Sequence, residues 1–500
     1  MKRLKIVMIN TPASPKMPYD GPPLSILSAV SMVDPQAHEI CVLDWHYPDF
    51  ESRVRSECRN ADLCGITCMT GYQIKTMLET VRVVKEVNPK ILTVCGGCHP
   101  TLMPEQTLEH PLIDMIVIGQ GPRTFQKLVE VLAAKGDLKT VQGLGFKEVG
   151  RLVFNAERPR EDINNFPAYP YNLLENFESF LVTSSFAKKT LYCLTSEGCT
   201  GKCKFCAEEA LYHRRWRPLA VSRVIDEIRE LRGCYHFDGV AISDSNFYIN
   251  QQRVIEFCEK IKPLNLKWGG TSGRPDQLRK YQDSTFAMMK ASGLHDLFLG
   301  VESSDNNTLA LMAKGTTVED AIDVIPRLHR HGIRVQCSFI IGIPGIDVRQ
   351  DLKSTLAFIN RLRRTGNVAQ FHLFVYTPLP GTGFLADAVR AGYQLPAKLE
   401  DWCHYELHAH TTPWVPEKYA EITDACSIYF MFLAGHTRKV VRTVLPRGTQ
   451  WLGIIAERMM YLISLFRIST GCFAFPIEYR IIKWVLLHKD RFFRGKKLMF

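Results

Sequence analysis

The last part of this 500-residue chain has little negative charge: residues 436–500 contain thirteen Lys or Arg against three Asp or Glu, a balance of +10 in a chain whose total is +11. The basicity therefore belongs to the tail. No aromatic stacking platform or helix-turn-helix pattern accompanies it, which argues against nucleic acid as the partner. Long apolar runs are missing too, since no uninterrupted stretch reaches the ~18 residues that a membrane-spanning helix needs. The run 6–9 behind the basic start is too short for the apolar core of a secretory signal. The chain thus reads as cytoplasmic, a compartment where disulfides are rare and clustered cysteines more often bind metal.

What is present is ample core-forming material, with 46% hydrophobic residues and a length that suggests about three domains. Among the 16 cysteines, three stand close together in Cys199-Thr200-Gly201-Lys202-Cys203-Lys204-Phe205-Cys206, just after the strand-like run Thr190 to Thr195. At this composition the C-x3-C-x2-C spacing would arise by chance about 0.016 times in such a chain. Three thiolates on one loop can hold three irons of a cubane iron-sulfur cluster and leave the fourth iron open to a ligand.

Short runs rich in β-branched residues at 5–10, 39–44, 62–67, 91–95 and 114–118 alternate with helical patterns such as Gln73 to Val87. This alternation predicts an α/β domain over 1–140, a doubly wound parallel sheet with its ligand crevice at the carboxyl ends of the strands. Those ends carry Gly97 and His99 after the fourth strand, and Gly119-Gln120-Gly121-Pro122 after the fifth. Pro159, Pro167 and Pro170 then punctuate a linker over 141–185. A second series of six strands over 186–395, beginning with the cysteine-bearing unit, predicts a partial (βα)6 barrel with functional groups at its strand ends. Asp244, Arg274, Glu302 and Gly342-Ile343-Pro344-Gly345 occupy such positions. Residues 396–500 form a basic, helical C-terminal region.

The cysteine triplet, with Phe205 before its last cysteine, resembles the radical S-adenosylmethionine (radical SAM) family, and the strand ends match that family in order. The resemblance implies a 4Fe-4S cluster on Cys199, Cys203 and Cys206, with the amino and carboxylate groups of S-adenosylmethionine on the open iron. One electron then cleaves the sulfonium to a 5'-deoxyadenosyl radical. It further implies Asp244 near the methionine amino group and Glu302, in Gly300-Val301-Glu302-Ser303, helping to hold the adenosylmethionine. Arg274 would face a carboxylate, and the turn of Gly342, Pro344 and Gly345 would pass close to the adenine. Pro378 to Thr382 matches the closing turn after the sixth strand.

The loops of the first domain resemble the cobalamin-binding domain that precedes the barrel in many of these proteins. Gly97, His99, Gly119 and Gly121 are its candidate cobalamin contacts, while Gln120 and Pro122 stand where the family usually has glutamates. His46 sits in an imitation of the cobalt-ligating motif that follows the wrong strand and lacks the glycine, so it reads as an ordinary loop histidine. Cys64, Cys68, Cys95 and Cys98 end neighbouring strands, as buried small side chains or as a second metal site.

The resulting expectation is an anaerobic, cobalamin-dependent C-methyltransferase that acts on an unactivated carbon of a hydrophobic small molecule or lipid, reduced by a flavodoxin or ferredoxin. The alternative keeps the radical but ends in oxidative cyclisation, carbon-carbon bond formation or rearrangement without net methyl transfer. A non-catalytic cofactor-binding module is the third reading. For the tail, the helical patterns Trp451 to Arg467 and Ile477 to His488 fit either a cap on the barrel or, over 437–500, a peripheral contact with an anionic membrane surface.

Overall fold

The computed structural model describes residues 2–14, 21–365, 368–405, 412–434 and 450–487. Strands β1 (Lys5–Asn10), β2 (Glu39–Asp44), β3 (Leu63–Thr67), β4 (Leu92–Gly96) and β5 (Met115–Val117) pair in parallel in the order β2-β1-β3-β4-β5. The central strands β1 and β3 are buried along almost their whole length, because helices cover both faces of a parallel sheet. Their sequences are accordingly continuous apolar runs. Two further strands, β6 (Leu144–Glu148) and β7 (Arg151–Phe154), extend the sheet antiparallel to seven strands. The start of the segment expected to be a linker is therefore sheet edge; its polar side chains concealed it.

The second domain opens with β8 (Thr190–Cys193), followed by a two-strand ribbon of β9 (Ser196–Glu197) against β10 (Arg217–Pro218) that brackets the cysteine loop. Strands β11 (Gly239–Ile242) and β12 (Lys267–Gly269) extend β8 into a parallel three-stranded sheet. At Gly270, whose φ of 68° suits glycine, the chain bends into β13 (Thr271–Gly273). β13 starts a four-stranded parallel sheet with β14 (Asp296–Glu302), β15 (Arg334–Ile341) and β16 (Val368–Val375). The two sheets together make an open, partial barrel. Asp296 Oδ1 accepts the Gly270 N–H at 3.1 Å and so holds the bend between them.

Chain beyond the barrel ties the two domains together. The 3-10 turn Leu399–His404 packs on the helix Tyr72–Val87 of the first domain, with Trp402 Nε1 donating to Gln106 Oε1 at 2.6 Å. The helix Glu417–Leu433 packs on β16, and the helix Gln450–Thr470 packs in turn on it and on the helix Val348–Thr365. Among the described residues no helix is long and apolar enough to cross a membrane.

Candidate active site

Cys199, Cys203 and Cys206 lie on the loop between β9 and the short helix Glu208–Tyr212. Gly201 sits between two of the thiols, its missing Cβ 3.5 Å from Cys199 Sγ and 3.6 Å from Cys203 Sγ. Donors surround the sulfurs. Gly201 N–H and Asn246 Nδ2 point at Cys199 Sγ at 3.4 and 3.6 Å, and Arg274 Nη1 points at Cys203 Sγ at 3.4 Å. Such donors stabilise sulfur that carries negative charge. Burial pushes the Cys206 thiol up to about 12, and coordination to iron reverses that, because a ligating thiol is deprotonated. Among the described residues no three His, Cys, Asp or Glu side chains converge to hold a single ion. A cubane asks something else of its cysteines, since each ligates a different iron. Cys64, Cys68, Cys95 and Cys98 do not converge on a single ion either; all four are free thiols, with Cys64 hydrogen-bonded to Cys58 and Cys68 to Cys95.

The strand ends deliver the remaining groups. Glu302 terminates β14 at a register shift with φ of 70°, a left-handed conformation that costs a non-glycine residue energy and persists only where its surroundings enforce it. Its carboxylate is buried, accepting from Lys314 Nζ and from the Ser338 hydroxyl, both at 3.1 Å. Lys314 is itself buried, with its ammonium 5.7 Å from the centre of the Phe205 ring on the cluster loop. No motif in the sequence singles it out. Its only local signal is the following Gly315, which takes φ of 70°.

Asp244 has a different role from the one expected. Its carboxylate accepts the N–H groups of Thr195 and Ser196 at 2.6 and 3.2 Å and both of their hydroxyls at 2.6 Å, and it is 1% exposed. With both oxygens saturated, it fixes the chain entering the cysteine loop and has no open side towards a methionine amino group. Asn246, two residues on, is the freer neighbour, because its buried Oδ1 has no partner. Arg274 donates to Asp276 at 3.0 Å and to the Lys314 carbonyl as well as to Cys203. Burial works against its charge, but Asp276, Cys203 and Cys199 together hold its pKa above the ordinary value. It therefore braces the cluster loop. At the end of β15, Gly342 takes φ of 77°, donates to the buried Asp351 and accepts from Trp414 Nε1 at 2.9 Å, with Pro344 and Gly345 continuing the turn.

In the first domain a cavity of about 200 Å³ opens at the carboxyl ends of the strands. Gly97, Gly119 and Gly121 line it, and open space lies where a Cβ would stand on Gly119 or Gly121. Glu197, Leu211 and Tyr212 from the cluster side close the same cavity, together with Arg160. Arg160 lies 4.6 Å over the Tyr212 ring and donates to the Leu211 carbonyl at 2.7 Å. Burial raises the pKa of Glu197, with Arg160 and Arg217 opposing it. Gln120 uses its side-chain amide on one residue of the interdomain segment, accepting from Glu161 N–H at 2.8 Å and donating to Glu161 O at 3.2 Å. A carboxylate could only accept there, so glutamine is the residue that fits.

His99 is not on the cavity wall. It is wholly buried at the domain junction, with Nδ1 2.9 Å from the Thr70 hydroxyl and its ring against Trp402, which corrects its expected contact with cobalamin. Burial lowers its pKa to about 4 from an ordinary 6.5. The unfolded chain then binds more protons between those values, so stability is complete above about pH 6.5 and falls as the pH drops towards 4, by about 3 kcal/mol for this group. His99→Phe keeps a ring against Trp402 without the titration. Its unfolding midpoint should vary less over this pH window than that of the wild type, and identical profiles would contradict the assignment.

Comparison with known proteins accords with this geometry. Residues 14–129 match the B12 binding domain and residues 193–359 the radical SAM superfamily. An uncharacterized methyltransferase of Pyrococcus horikoshii is 30% identical over 397 residues, which is 76% of this chain and 82% of its own. The chain belongs to the radical SAM enzymes that carry a cobalamin-binding domain. The anaerobic magnesium-protoporphyrin IX monomethyl ester cyclase of Rubrivivax gelatinosus is a further relative of this enzyme, 29% identical over 64% of this chain and 57% of its own. In fold it is similar to the cobalamin-dependent S-adenosylmethionine radical enzyme OxsB, whose structure with aqua-cobalamin and S-adenosylmethionine bound covers 97% of this chain and 75% of that one at a TM-score of 0.73 and 18% identity.

Membership of this family implies a 4Fe-4S cluster, S-adenosylmethionine and cobalamin. The residues fit all three: a donor-ringed thiol loop, an orphaned buried amide oxygen beside it, and a cavity with a bare glycine wall.

Proposed function

We propose that this radical SAM enzyme acts on a substrate held between sheet and barrel, and that the reaction is a ring closure or carbon-carbon bond formation without net methyl transfer. The observation that supports a joint site is the shared cavity, walled by Gly97, Gly119 and Gly121 on one side and by Glu197, Leu211 and Tyr212 on the other. When bound, the cluster, adenosylmethionine and cobalamin supply the reducing electron, the radical and the corrinoid chemistry. The chain's own part is positioning. Cys199, Cys203 and Cys206 would hold the cluster, braced by Arg274, while Glu302 with Lys314, and Asn246, face the adenosylmethionine site. Glu197 is the carboxyl group on the cavity wall, its pKa raised by burial and opposed by Arg160 and Arg217. The type of reaction is supported by the Rubrivivax relative, whose named activity is a cyclisation.

A second reading, methylation of an unactivated carbon, is favoured by the name of the Pyrococcus relative. The two differ in what becomes of adenosylmethionine. Methyl transfer through a corrinoid must release one S-adenosylhomocysteine for each methyl group delivered, whereas ring closure releases none. With a substrate present to give up the hydrogen atom, the anaerobically reconstituted, reduced enzyme should therefore turn methyl-deuterated adenosylmethionine into 5'-deoxyadenosine without accumulating S-adenosylhomocysteine and without deuterium entering the product. Equal amounts of the two products would put methylation first.

A further inference from the structure

The helix Gln450–Thr470 is apolar on its outward side as well as its inward one, unlike a helix on a globular surface. The face packed on the protein holds Glu457 and Ser464 beside Ile468, all at most 3% exposed. The opposite face is dominated by apolar side chains, with Arg458 also exposed on it. Trp451, Leu452, Ile455, Met459, Leu462 and Phe466 recur at helical spacing and are 48–63% exposed.

The turn and helix that follow continue this character. Phe475 is 87% exposed with φ of 47°, and Ile477, Ile481 and Trp484 of the helix Ile477–Leu487 are each about half exposed or more. Arg467 pins the connection, pairing with Glu478 at 2.8 Å and donating to the carbonyls of Cys472 and Ala474. Of the sixteen large apolar side chains exposed among the described residues, ten lie between Trp451 and Trp484. Such a concentration marks a contact surface, since single scattered apolar residues are the ordinary case.

Charge selects the occupant. Arg438, Lys439, Arg442 and Arg447 precede the first helix in sequence, and Lys489, Arg491, Arg494, Lys496 and Lys497 follow the second. A second copy would bring another +10 segment against this one, and like charges brought together across an interface repel. An anionic bilayer satisfies both features, taking apolar side chains into its acyl boundary and cations at its headgroups. We propose that Gln450–Thr470 and Ile477–Leu487 form a docking surface for an anionic lipid bilayer, on which the enzyme lies without spanning it.

The test is flotation of the full-length protein with vesicles of phosphatidylcholine containing about one-third phosphatidylglycerol, against phosphatidylcholine alone. Binding is expected to the anionic vesicles and to weaken as salt rises from about 0.1 to 1 M, where the screening length falls from about 10 to 3 Å. Leu462→Glu with Phe466→Glu should lower the partition coefficient by about a hundredfold, from the loss of two buried side chains. Both sites are exposed, so iron content and unfolding midpoint should hold. Ile481→Glu on the second helix is the independent variant. No flotation with anionic vesicles at low salt overturns the proposal, as does undiminished binding by these variants. A dimer that the same substitutions dissociate, without vesicle binding, would assign the surface to a second copy. Binding gained only on removal of residues 488–500 would assign it to the chain's own end.

Discussion

Cys203→Ala is expected to abolish reductive cleavage of adenosylmethionine, with 5'-deoxyadenosine formation falling at least about a thousandfold and iron falling from about four per chain to below one. Cys203 is the most buried of the three loop cysteines and the one that Arg274 faces, so its loss removes a cluster ligand and the partner of the guanidinium together. Cobalt content should be unchanged, because the candidate corrinoid cavity lies across the domain junction and Cys203 does not line it. Cys234→Ala is the control. That thiol is exposed and outside the loop, and both metals and activity should survive its removal. Iron retained at the wild-type level in Cys203→Ala would mean that the loop is not the cluster site.

The second large effect concerns the buried pair of Glu302 and Lys314. Lys314→Met leaves the Glu302 carboxylate buried with the Ser338 hydroxyl as its remaining side-chain partner. Breaking a buried pair from one side typically costs about 3–5 kcal/mol, because the surviving charge is uncompensated. A lowered unfolding midpoint should therefore accompany this change, and Glu302→Gln combined with Lys314→Met should recover much of the loss. The other single variant leaves the buried Lys314 ammonium without its carboxylate and should lower the midpoint as well, but it alone carries a functional readout. Glu302→Gln removes the charge that would grip the adenosylmethionine, and the dissociation constant for this substrate should rise about ten- to a hundredfold while the cluster stays intact. Unchanged affinity would leave Glu302 a structural acid whose left-handed backbone serves the barrel alone.

Much of the architecture was legible because parallel strands covered on both faces are unbroken apolar runs. Runs such as 5–10 and 39–44 coincide with β1 and β2, and Arg334–Ile341 coincides with β15. The cysteine spacing was equally plain, since a cluster needs its ligands on one loop. What escaped were facts about direction. A histidine three residues beyond a strand end can face a ligand or a neighbouring domain, and His99 lies against Trp402 of the segment Leu399–His404. Asp244 stands at the expected strand end, but Thr195 and Ser196 bring it four donors, which no spacing along the chain could announce. Lys314 is paired with Glu302 through tertiary packing alone. For the tail, periodicity established that 477–488 has an apolar face without saying which way it looks, and Ile477 and Ile481 look outward while Ile482 packs inward.

The central claim is that one chain brings a cluster site and a corrinoid site to a common cavity. Metal content of the full chain, purified and reconstituted without oxygen with iron, sulfide and hydroxocobalamin, tests it most directly. The predicted result is about four irons and about one cobalt per chain, with cobalt lost and iron kept when Gly121→Val fills the open space beside the glycine wall. Four irons with no cobalt in the wild-type protein would contradict it, leaving a radical site beside an empty sheet.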